Sequence, residues 1–147
     1  MRRLALSLFL FALASAYCVA AEQTVAALKE RVAKASAEER PQLCMQIAQQ
    51  QLRNADKLYN EGHVDDARAA VDDIVTYSEK ARDAAIESKK HLKNVEIDAR
   101  KMAERLRDIK RSLAFEDQPP VEQAIRRLED VRTALLKEMF SNKKEKK

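Results

Sequence analysis

Two histidines, two neighbouring aspartates and two cysteines are the residues of this 147-residue chain with most to offer a reaction. His63, Asp65 and Asp66 stand together at the start of a helical stretch, three donor groups that suit a loose divalent-metal site. The same three suit a plain helix start, where aspartates complement the dipole and an exposed histidine is solvated. Nucleophilic catalysis needs a nucleophile, a base and an orienting group that converge. His91 follows His63 by about 28 residues, roughly 42 Å on an uninterrupted helix, so the two histidines do not share a site within one chain. Glu122, Glu129 and Asp130 come closest to a paired-carboxylate arrangement. An exposed helix surface, however, lacks the water-excluding pocket that drives two carboxyl pKa values apart. These residues predict no enzyme and no cofactor, and leave His63, Asp65 and Asp66 as the one metal candidate.

The cysteines depend on where the protein resides. Arg2 and Arg3, an apolar run from Leu4 to Ala16, and the ending Cys18-Val19-Ala20-Ala21 make the three-part pattern of a secretory signal, predicted to span residues 1–21. Cleavage after Ala20 and after Ala21 are both compatible. Tyr17 stands where lipoprotein processing wants a small residue, which removes that role for Cys18. An uncleaved anchor is the alternative, because residues 4–21 sit at the lower edge of what crosses about 30 Å of hydrocarbon. With the signal removed, Cys44 is the single thiol of a periplasmic or secreted protein, and an intrachain disulfide is excluded. Leu43, Met45 and Ile47 around it favour a small buried hydrophobe, with an intermolecular disulfide as the alternative.

A single Gly and three Pro leave little room for phosphate-binding loops or tight hairpins, which need residues that accept positive φ. The expected fold is all-α. Periodic apolar residues predict four helices at about 23–35, 37–61, 64–114 and 120–141 within a bundle spanning 22–142. Ser36 and Glu39 form a capping box ahead of the second helix, Pro41 fits its first turn, and Gly62 ends it. Nothing between Val64 and Ala114 interrupts a helix. Val64, Ala67, Val71, Ile74, Ser78, Ala81, Ala85, Ser88, Leu92, Val95, Ala99, Met102, Leu106, Ile109 and Leu113 keep an unbroken heptad alternation, predicting one central rod of about 75 Å. The stripe is wide in the first half of that rod. In the second half it is flanked by His91, Glu96, Asp98 and Arg105. The first two helices should therefore fold back on the first half, and the last should pair antiparallel with the second half, giving an elongated bundle.

Around the glycine, Ala55, Leu58, Gly62, Ala67, Val71 and Ile74 stand at the spacing of the small and apolar positions of a tetratricopeptide repeat, so residues 48–76 resemble one such helical hairpin. Asn54 and Glu79 depart from the pattern and no second copy is detectable. Because about three stacked repeats are needed for a continuous core, the family's peptide groove is not implied. The stretch Ser112 to Phe140, with its Phe115-Glu116-Asp117-Gln118-Pro119-Pro120 turn, resembles uncharacterised secreted helical proteins of bacteria, a likeness that implies no activity.

Charge is laid out in blocks. Residues 61–87 carry a balance of −5, and residues 89–111 a balance of +5 from Lys89, Lys90, Lys93, Arg100, Lys101, Arg105, Arg107, Lys110 and Arg111 against four acids. Dipole complementarity explains the ends of so long a helix but not its middle. The polarity suits an antiparallel homodimer or another protein partner that meets the basic face. The Lys143–Lys147 tail, expected to be disordered, suits an anionic membrane surface. Few aromatic residues stand ready to stack bases, and no nucleic-acid partner is expected. The sequence thus predicts an exported, non-enzymatic interaction or scaffold protein of the bacterial envelope. The alternatives are a surface accessory binding anionic lipid or metal, and a periplasmic chaperone-like helper.

Overall fold

The computed structural model describes residues 24–144, with side chains through Ser141. The expected signal at 1–21 and the last three residues of the tail lie outside them. Among the described residues there are five α-helices and no strand: α1 (Val25–Lys34), α2 (Arg40–Asn60), α3 (Val64–Ser88), α4 (Leu92–Ser112) and α5 (Gln118–Lys144), with a 3-10 turn at Phe115–Asp117 before α5. The helix expected to stop near 141 runs on to Lys144, two residues into the tail.

Local chemistry sets most of these boundaries. Thr24 Oγ1 accepts from Ala27 N–H at 3.2 Å and caps α1. The capping box ahead of α2 is formed: Glu39 N–H donates to Ser36 Oγ, and Ser36 N–H to Glu39 Oε2, both at 3.3 Å. Gly62 takes φ 81° between α2 and α3, while His63 N–H closes on Leu58 O at 2.9 Å. Residues 48–76 accordingly form an antiparallel helical hairpin.

The continuous rod over 64–114 is not what forms, and the four-helix description gives way to five. The chain breaks at Lys89-Lys90-His91, with Lys89 at φ 56° and His91 at φ 62°. Ser88 Oγ donates to Ala84 O at 2.7 Å and accepts from Lys90 N–H at 3.3 Å. Heptad spacing is equally compatible with one long helix and with two helices folded back on each other, because each presents the same stripe. Packing decides. Folding back merges the seams of α3 and α4 into a single core that runs from Leu28 through Ile47, Ile74 and Leu106 to Leu135. Left-handed backbone at two L-residues costs about 1–2 kcal/mol each. Burying a single leucine or isoleucine side chain contributes about as much.

Long-range side-chain pairs give the register. Gln42 meets His91 and Asp56 meets Arg105, so α2 and α4 run parallel. Arg68 meets Asp117, Glu79 meets Arg127 and Lys89 meets Glu138, so α3 and α5 also run parallel. Within hairpins the order reverses, as Arg107–Glu129 and Lys110–Glu122 show for α4 and α5. The molecule is thus two helical hairpins, α2–α3 and α4–α5, stacked at a shift of about one hairpin. The α1 helix lies against α2, held by buried Leu28 and by Lys29, whose ammonium meets Asp73 of α3 at 2.8 Å. That contact holds the Lys29 pKa above its usual value.

The narrow two-helix seam expected for the second half of the rod is absent, because α4 packs on α2 and α3 as well as α5. Ala103, outside the heptad seam, is fully buried, and Glu96 is buried where Arg132 Nε donates to its carboxylate at 2.7 Å.

A candidate interaction surface between the hairpins

Where α2 and α4 run side by side they leave a cleft of about 420 Å³. Gln42, Gln46 and Gln49 line one wall, at spacings of four and three that place them on one stripe of α2. His91, Asn94 and Asp98 line the other on α4, and Met45, Val95 and Ile97 complete the lining. Gln42 Nε2 and His91 Nδ1 stand 3.1 Å apart, with the amide donating when the ring carries its proton on Nε2. The side chains of Gln46, Gln49, Asn94 and Asp98 make no hydrogen bond to any described residue. Burial pushes the Asp98 carboxyl above its usual pKa, and Lys101 offsets part of that shift. The cleft therefore offers a row of amides and one acid whose hydrogen-bonding capacity is left for water or a ligand.

The predicted basic face divides in two. Lys89 pairs with Glu138, Arg105 with Asp56 at 2.6 Å, Arg107 with Glu129 at 2.7 Å, Lys110 with Glu122 at 3.8 Å and Arg111 with Asp108 at 2.9 Å. The first four of these join different helices, so much of the block stabilises the chain's own packing. Lys90, Lys93 and Lys101 are exposed, Arg100 is half-buried, and none of the four has an ion pair among the described residues.

His63 caps α3 without a side-chain hydrogen bond and is exposed. Asp65 turns to Arg68 at 3.5 Å, while Asp66 lines a separate cleft with Gln51, Asn54 and Asp73. Among the described residues no group of three or more His, Cys, Asp or Glu is placed to hold a metal. Cys44 is 0% exposed, and burial raises its thiol pKa to about 11. An intermolecular disulfide through Cys44 is out of reach of the folded chain.

The amide cleft is the feature that sequence reasoning missed. A stripe of three glutamines on α2 was visible, but its opposite wall exists only because the chain turns back at residues 89–91. Phe115, 85% exposed beside the α4–α5 turn, and Phe140, 64% exposed near the end of α5, are two further apolar projections. Compared with models of protein families, with curated proteins and with solved structures, the chain matches none.

Proposed function

We propose that this chain is an exported, non-enzymatic interaction protein of the bacterial cell envelope that receives an extended segment of a protein partner in the α2–α4 cleft. The observation that carries this reading is the row of unpartnered amides at Gln46, Gln49 and Asn94 beside Asp98. A side-chain amide offers a donor and an acceptor, as a peptide group does, so such a row can hydrogen-bond main chain with little demand on the partner's side chains. Gln42 to Gln49 spans about 10 Å of helix, the length of about three extended residues. Broad recognition of this kind fits a scaffold and equally a chaperone-like helper.

A photo-crosslinking residue at Gln46, compared with one at Thr76 on α3, tests the reading in the exporting cell. It predicts a partner captured at 46, not at 76, and lost on Asp98→Arg. Equal capture at both positions, or none at 46, contradicts it.

A second reading rests on Lys90, Lys93, Arg100 and Lys101, four cations without ion pairs that, with the Lys143–Lys147 tail, suit anionic lipid headgroups. Flotation with anionic vesicles that is lost on removing residues 143–147, with no capture at Gln46, favours it.

A further inference from the structure

The turn between α3 and α4 contains no helix breaker. Ser88-Lys89-Lys90-His91 has neither Gly nor Pro, and the apolar seam passes through it from Ala85 and Ser88 to Leu92 and Val95. Two of its residues nevertheless hold left-handed backbone, at φ 56° and 62°. Lys and His crowd their Cβ atoms there, and a straight helix would relieve both. What holds the bend is the contact between hairpins: α3 on α5, α2 on α4, and the pairs Asp56–Arg105, Arg68–Asp117, Glu79–Arg127 and Lys89–Glu138. Each of these joins the chain before Lys90 to the chain after it. A second copy can supply every one of them.

We propose that two copies exchange hairpins. Residues 89–91 straighten, α3 and α4 become one rod of roughly 49 residues, about 73 Å long, and α4–α5 of each copy docks on α2–α3 of the other. The occupant of the opened face is a second copy because that face already carries the complement: acids at Asp56 and Glu79 for cations at Arg105 and Arg127, and the cation Arg68 for Asp117. Monomer and dimer bury the same surfaces and differ in the bend, so concentration selects between them. The α2–α4 cleft is rebuilt with one wall from each copy, and the inference therefore does not depend on what the cleft binds.

Light scattering on the purified protein, concentrated from about 1 µM to about 500 µM and refolded at each end, reads the equilibrium. The expected result is a monomer when dilute and a dimer when concentrated. The double variant Lys89→Gly/His91→Gly, which makes the bend easy and the rod costly, weakens dimerisation more than about a hundredfold. Lys89→Ala/His91→Ala, in which alanine favours the rod, strengthens it about tenfold. Circular dichroism verifies that each variant folds. A short bis-maleimide bridging Asp56→Cys and Arg105→Cys identifies exchange, since buried Cys44 does not compete: the bridge should join two chains in the dimer and stay within one in the monomer. A dimer bridged only within chains overturns the proposal. So does a monomer at every concentration in both the native protein and the alanine variant. Partner capture at Gln46 by such a monomer would leave the functional reading standing while this inference fell.

Discussion

Of the three bends that reverse this chain between long helices, the first two are built differently. At the first, Gly62 sits at φ 81°, with its N–H on Tyr59 O at 3.1 Å and the N–H of His63 on Leu58 O, the hydrogen-bonded ending that a glycine makes cheap. A Cβ there would meet nothing within 4 Å, so glycine is required by backbone angle and not by space. At the second bend, a lysine and a histidine adopt similar angles; the Ser88 hydroxyl is the local hydrogen-bond aid, and Glu138 of α5 and Gln42 of α2 hold the two side chains from other helices. The first bend is specified by its own residues. The second contains neither Gly nor Pro, and packing between the hairpins holds it.

The largest expected effect attacks the first bend. Gly62→Val should destabilise the fold by about 2 kcal/mol in urea unfolding, because a β-branched residue resists positive φ. Next, at the second bend, Lys89→Gly and His91→Gly should each stabilise the monomer by about 1 kcal/mol, the opposite sign from the same class of site. Destabilisation by either would mean that the second bend is also locally specified. Smaller again is Arg105→Ala, which removes the pair with Asp56, about 21 Å along α4 from residue 91 and outside either turn. It should cost below about 1 kcal/mol, less at high salt, and speed amide exchange around residues 89–92 while leaving that around 61–64 unchanged. The least effect belongs to Asp98, beside the second bend. Its carboxyl is held above the ordinary 3.8, so the folded protein binds that proton more tightly than the unfolded chain does. The ionised form therefore costs stability above the raised pKa, and the cost disappears as pH falls through it. Asp98→Asn should stabilise at pH 7 by no more than about 0.5 kcal/mol, with the gain lost in acid.

The same contrast explains what could be read before the structure. The all-α fold, the Ser36–Glu39 box, the Gly62 turn and the helix pairings on either side of it rest on signals within a few residues of one another. Val64 to Leu113 carried an equally regular pattern, yet the pattern says which residues face inward and not what they face. Glu96 looked like a flanking position because its burial depends on neighbours brought by the second bend. The opposite charges of residues 61–87 and 89–111 pointed to complementarity between copies. In the folded chain, members of both blocks pair with α5, and Arg105 of the second pairs with α2. The amide cleft shares this history: Gln42, Gln46 and Gln49 form a legible stripe, while Asn94 and Asp98 face them only after the chain has doubled back.

The most direct test of an imposed second bend is the distance between spin labels at Asp72→Cys and Asp108→Cys, two exposed sites placed about equally far from residue 90 on α3 and α4. In the dilute monomer the folded arrangement predicts a narrow distribution below about 30 Å, as for helices within one bundle. Unfolding the hairpin contact in mild denaturant should move part of that population toward about 54 Å, the span of an unbroken helix. A dilute native population already centred near that long distance would contradict the account. So would a bend that keeps the short distance after the hairpins have separated.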